Sequence, residues 1–206
     1  MGTFGGITFV HRDVEASALA GTQGRRSLAA WRRVGDAVLV RAAQRGSEDA
    51  VAELFRRHWH DLHRAALLIT GDAAAAEDIA QESFLAALRA LPRFDLRRPL
   101  RPWLHRIAVN RAIDWSRART LRREVVDPLP ERADARVDSA VLPGDEIAGA
   151  LMHVGIEQRA AIVLRYVLEL TPGEIANVLE LPRGTVNSRL RRGLDALGEI
   201  LREAPR

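Results

Sequence analysis

Thr171, Pro172 and Glu174 fix the start of a helix more tightly than any other residues in this chain, and the twenty or so residues after them leave few folds open. Thr171-x-x-Glu174 is a capping box, in which hydroxyl and carboxylate satisfy the free N–H groups of a helix start. Pro172 falls at the first helical position, where its missing N–H is harmless. Ile175, Val178 and Leu179 then recur at helical spacing and point inward. A corner comes next at Glu180-Leu181, and a second helix opens near Pro182, with Leu181 and Val186 holding the two together. That second helix carries Arg183, Thr185, Asn187, Ser188, Arg189, Arg191 and Arg192, and meets no acidic residue before Asp195. Two short helices, the second basic, form the pattern of a helix-turn-helix whose second helix enters a DNA major groove. Arg suits guanine, Asn suits adenine, and Ser and Thr are permissive.

Upstream, the helical period continues. A helix is expected from about Trp31 to Arg45, with Val34, Val38 and Ala42 on one face, stopped by Gly46. Ser47 caps a longer one with Glu48 and Asp49 in its first turn, and its stripe is Val51, Leu54, Phe55, Leu62, Ala65, Ala66 and Ile69. Gly71 ends it. Asp72 caps the next, which runs to about Leu91 and breaks at Pro92; Pro102 opens another, running to about Arg122. Residues 124–144 hold Pro128, Pro130, Pro143 and many acids, and read as a linker. Short helices over about 145–153 and Ile156–Leu168 come after it, with Ile162, Val163 and Tyr166 as core residues. No strand pattern competes, so the fold class is all-α: two small helical domains joined by a flexible linker. The divisions are a loose tail over 1–30, a first domain over 31–123, the linker over 124–144 and a second domain over 145–203.

Charge sharpens this reading. The chain has no lysine, so all 31 of its basic side chains are arginine, and the pI is about 10.9 although the net charge is only +4. Arginine stays protonated and grips phosphate with a planar fork. Arg93, Arg97, Arg98, Arg101, Arg106, Arg111, Arg117, Arg119, Arg122 and Arg123 face only Asp95 and Asp114 within 93–123, whereas the linker is acidic. A basic segment beside an acidic connector suits a polyanion partner. Cysteine is absent, which excludes disulfides and cysteine-based zinc sites. No apolar run approaches the roughly 20 residues needed to span a bilayer, and Met1–Val10 is a poor signal peptide, so a cytoplasmic location is expected.

Phe94, Trp103 and Trp115, interleaved with Arg and Asn110, suit unstacked bases, the rings stacking while the guanidiniums follow the backbone; helical spacing of Trp103 with Ile107 is more often that of a core residue. Asp78, Gln81 and Glu82 share a face that is either a docking surface or simply solvated. His58, His60 and His63 invite a metal, but positions i, i+2 and i+5 do not share one helix face. No phosphate-cradling glycine loop or nucleophile elbow is present, so neither a cofactor nor a catalytic constellation is expected.

Together these blocks resemble a known family. Gly71–Phe84 (Gly-Asp-Ala-Ala-Ala-Ala-Glu-Asp-Ile-Ala-Gln-Glu-Ser-Phe) is similar to region 2.2 of bacterial RNA polymerase sigma factors, and Arg93–Asn110 to region 2.3. Residues 157–194, with Glu157-Gln158-Arg159 and Gly184-Thr185-Val186-Asn187-Ser188-Arg189-Leu190, resemble region 4. The short linker points to the extracytoplasmic-function (ECF, group IV) subfamily of the sigma-70 family. The resemblance implies a factor that binds core polymerase and directs promoter recognition and melting, and that is not itself an enzyme. It implies polymerase contacts on the β′ clamp helices and the β flap, with Glu77, Asp78, Gln81 and Glu82 docking on the clamp. It implies capture of the melted −10 element by Arg93, Arg97, Arg98, Trp103, Arg106 and Asn110, and reading of the −35 element by the helix from Pro182. It also implies a separate anti-sigma partner. The chain departs from the family at Glu169 and Glu180, where glycine is common, and at Val154-Gly155, where Leu-Pro is common. The rival readings are a stand-alone helix-turn-helix regulator, dimeric on a palindromic site, and a metal-dependent hydrolase built on the three histidines.

Overall fold

The computed structural model describes residues 31–126 and 146–203. The tail read over 1–30 lies outside them, as does the linker read over 124–144 except for residues 124–126, which are helical instead. All regular structure among the described residues is helical. The chain divides into two compact units, Met1–Arg57 and His58–Arg206.

In the first unit the expected helix from Trp31 is interrupted. Gly35 is extended, and α1 spans Asp36–Gln44. The break resets the helical phase, so the buried face is Leu39, Val40 and Ala42, while Val38 is 46% exposed. The stripe through Val34 and Val38 is therefore corrected. α2 (Glu48–Thr70) starts as read, with the Ala50 N–H donating to Ser47 Oγ at 3.3 Å. Arg57 on α2 braces the break, donating to Trp31 O and Val34 O at 2.7 Å and pairing with Asp36 at 3.0 Å. Buried Glu53 holds both Arg56 and Arg57, and the Arg56 hydrogen bond, with Arg57 behind it, keeps its carboxyl below the usual range.

The second unit takes the rest of α2, then α3 (Ala73–Ala90), a 3-10 turn at Leu91–Arg93, and α4 (Leu100–Val126). After the linker come α5 (Glu146–His153), α6 (Ile156–Ile162), a π-helical turn at Val163–Val167, α7 (Pro172–Leu179) and α8 (Arg183–Glu203). α4 begins two residues before Pro102 and continues past Arg122. α3 lies along α4, α8 crosses α5, α6 and α7, and α4 packs on α6 and α7. One apolar core runs through all of them, from Ile69, Ala76, Val109 and Ile113 to Leu151, Ile162, Leu164, Leu168, Ile175 and Val186. Each fully buried Leu or Ile contributes about 1.5–3 kcal/mol.

Two glycines set how closely these elements approach. Gly71 turns the chain between α2 and α3 at φ 67, and a Cβ there would meet Met152 Sδ at 2.5 Å. Gly193 lets α8 lie on α6, where a Cβ would come within 2.9 Å of Gln158 Cβ. Asp72 caps α3 by accepting from the Ala75 N–H at 3.0 Å; that bond first, then one from Arg119, holds its carboxyl below its ordinary range.

Tyr166 is the other correction. The helix read as Ile156–Leu168 widens into the π turn, and the added residue rotates Tyr166 outward to 58% exposure, while Ile162 and Val163 remain core.

Candidate nucleic-acid interface

The corner of the helix pair forms as its sequence dictates. Thr171 Oγ1 accepts from the Glu174 N–H at 3.3 Å and Glu174 Oε2 accepts from the Thr171 N–H at 2.8 Å. The Thr171 N–H and, at 2.7 Å, its hydroxyl both donate to Glu174 Oε2, and together they depress the carboxyl. α7 closes at Glu180, whose φ is 55, and the Leu181 N–H donates to Ala176 O at 3.0 Å. Glu169, before the motif, also takes positive φ, at 56. Both positions where the resemblance favours glycine are thus left-handed turns.

α8 does not present its polar residues equally. Arg183, Asn187 and Arg191 are exposed along one face. Ser188 is engaged within the helix, donating to Thr185 O at 2.9 Å and accepting from Arg192 Nη2 at 3.2 Å. Thr185 is half-buried, and Arg189 lies on the flank, ion-paired to Glu157 of α6. The seven residues read from the sequence therefore separate into outward Arg183, Asn187 and Arg191, the engaged Thr185, Ser188 and Arg189, and Arg192, which is exposed but bonded back to Ser188.

A second basic surface is built at the start of α4. The Arg97 N–H donates to Asp95 Oδ1 at 3.0 Å and the Arg98 N–H to Asp95 O at 3.0 Å, which folds the loop so that Arg93, Arg97 and Arg98 are exposed. Among the described residues none of these three guanidiniums makes an ion pair. Phe94 packs on Trp103 with ring centroids 4.7 Å apart, so Trp103 is a half-buried floor between loop and helix. Arg106 and Asn110 are half-exposed one and two turns on, and Arg106 pairs with Glu180 at 2.5 Å.

Beneath this surface His105 is fully buried, and neither ring nitrogen has a hydrogen-bond partner. Burial, reinforced by the Arg101 charge, lowers its pKa to about 4, so the ring is neutral at physiological pH. Arg101 itself is tied to Asp61 at 3.2 Å. On α3, Glu77, Asp78 and Glu82 are exposed and Gln81 is half-exposed, forming one acidic ridge; Glu82 pairs with Arg111 at 2.9 Å. His58 is buried, His60 exposed and His63 stacked near Trp59, so the three do not converge, and among the described residues no group of three metal-ligating side chains is present.

Sequence reasoning missed Arg159. It is buried in α6, donating to Ile69 O at 2.9 Å, Met152 O at 3.2 Å and Val154 O at 3.1 Å. Burial lowers its pKa only to about 10, so it stays charged and ties α6 to the ends of α2 and α5. The available signal was an arginine set directly against the apolar run Ala160–Leu164. Glu157, which holds both Arg117 and Arg189, was missed as well.

Residues 54–122 match the family described as Sigma-70 region 2, and residues 144–197 match Sigma-70, region 4. SigW, an ECF RNA polymerase sigma factor of Bacillus subtilis, is 32% identical over 80% of this chain and 95% of its own length. The chain belongs to the ECF RNA polymerase sigma factors. SigM of Mycobacterium tuberculosis is 35% identical over 81% of this sigma factor and 84% of its own length. Among solved structures, CnrH in complex with the cytosolic domain of CnrY aligns with a TM-score of 0.64 at 30% identity, covering 82% of this chain and 99% of that one. The sigma factor RpoE of Bartonella quintana shares the fold, with a TM-score of 0.60 at 21% identity. The region 2 match thus covers most of α2 to α4 and the region 4 match most of α5 to α8, and the factor serves promoter recognition. No helix of the described residues is long and apolar enough to cross a membrane.

Proposed function

We propose that this sigma factor divides its work among three surfaces. The α3 ridge of Glu77, Asp78, Gln81 and Glu82 docks on core polymerase. The α4 surface of Arg93, Arg97, Arg98, Trp103, Arg106 and Asn110 takes the unstacked strand of the −10 element. α8 reads the −35 duplex, with Arg183, Asn187 and Arg191 toward base edges and Thr185, Ser188, Arg189 and Arg192 fixing and flanking that face. The observation that carries the reading is the pairing of two separate basic surfaces, one backed by an aromatic floor and one on a capped helix pair. The first chemistry suits single strands and the second a major groove. Polymerase turns two weak readers into one strong one by fixing their separation.

The factor acts as an initiation factor rather than an enzyme, and works in the cytoplasm beside polymerase. CnrH was solved bound to the cytosolic domain of CnrY, which supports control of this factor by a protein partner of its own, an anti-sigma factor.

Charge reversal separates the surfaces. Asp78→Arg with Glu82→Arg should cut co-elution with core polymerase at least tenfold. Asn187→Ala with Arg191→Ala should leave co-elution intact and reduce run-off transcription only from templates that carry the −35 element. Core binding unchanged by the α3 reversal would remove the docking assignment.

A further inference from the structure

Glu180 occupies a position that does not want it. It closes α7 in the left-handed region, at φ 55, where any Cβ crowds the backbone and glycine is favoured. The corner needs nothing from its side chain, because the closing bond, Leu181 N–H to Ala176 O, is backbone only. The carboxylate instead reaches across to α4, where Oε1 accepts from Arg106 Nη2 at 2.5 Å. Arg106 belongs to the surface assigned to the unstacked strand. A second acid repeats the arrangement, since Glu157 of region 4 holds Arg117 of α4 together with Arg189 of α8. Acids of region 4 thus pair with arginines of region 2.

We propose that Glu180 is an internal counter-ion for Arg106, standing in for a DNA phosphate and holding down binding of single-stranded DNA by the free factor. This rests on the sigma-factor reading of the α4 surface. The partners are half-exposed (Arg106, 43%) and exposed (Glu180, 64%). An exposed pair is weak and screened by salt, so it yields to a strand delivered by polymerase. The effect is a tuned bias against stray binding.

Glu169 supplies the control. It has nearly the same positive φ, and among the described residues no ion pair engages it. Glycine there relieves the same backbone strain without releasing an arginine. The test is binding of a fluorescent random-sequence single-stranded DNA 20-mer to the full chain across a salt series. Glu180→Gly and Glu180→Gln should each bind about threefold tighter than the parent at low salt, the gain expected from freeing one exposed pair. Their log–log salt slope should be steeper by about 0.7, one added phosphate contact on a single strand. Glu169→Gly should match the parent. Parent-like affinity in both Glu180 variants, or an equal gain in Glu169→Gly, would overturn the proposal. Run-off transcription by the parent chain with core polymerase is the separate arm. Its failure would sink the sigma-factor assignment of the surface, while the oligonucleotide series still decides whether Glu180 masks Arg106.

Discussion

Backbone strain at Glu169 and burial at His105 must be offset by the rest of the molecule, and each makes a measurable difference. Glu169 sits at φ 56, a conformation that costs a side-chain-bearing residue roughly 1–2 kcal/mol. Glu169→Gly should therefore raise stability by about 1 kcal/mol, read as a higher urea midpoint with an unchanged slope. His105 acts through pH. Its folded pKa of about 4 lies below the ordinary 6.5, so between those values the unfolded chain binds more protons than the folded one. Stability is then full above about pH 6.5 and falls as pH drops toward 4, by up to about 1.4 kcal/mol per unit. His105→Leu should flatten that window in urea titrations run from pH 7 to 4. His63, also pushed down by burial, leaves a shallower residual slope. The depressed carboxylates of Glu53, Asp72 and Glu174 add stability that is lost only below their ordinary range of about 4–4.5.

At the scale of elements, the capping box and the buried arginine organise region 4. Thr171→Ala removes one hydroxyl from the start of α7 and should cost about 1 kcal/mol. Arg159→Leu leaves the carbonyls of Ile69, Met152 and Val154 without that donor and should cost about 2 kcal/mol or more; an unchanged urea midpoint would show that water replaces the guanidinium. The same elements mark what was legible in the sequence. Caps at Ser47, Asp72 and Thr171 are local chemistry, and the helices begin beside them. Gly35 was legible only as a residue, because whether a glycine breaks a helix depends on partners such as the carbonyl-binding Arg57. Tyr166 turned outward because one extra residue enters a π turn, and no periodicity announces that. The basic helix α8 could be read as a whole. The division between outward Asn187 and Arg191 and the engaged Arg189 could not, since it depends on Glu157 arriving from another helix.

At the scale of the molecule, regions 2 and 4 share one apolar core within the unit from His58 to Arg206, and ion pairs at Arg106 and Arg117 join their charged surfaces. On the proposed division of surfaces, two readers that neutralise part of each other's charge should bind DNA poorly alone and need polymerase to present them. The central claim is therefore tested by mixing the purified full chain with bacterial core RNA polymerase, following co-elution, and then running off transcripts from a genomic promoter library. A sigma factor with these surfaces should form a stable complex with core, yield new promoter-specific transcripts, and show only weak, salt-sensitive DNA binding by itself. Tight sequence-specific DNA binding by the chain without polymerase, and no complex with core, would contradict the claim.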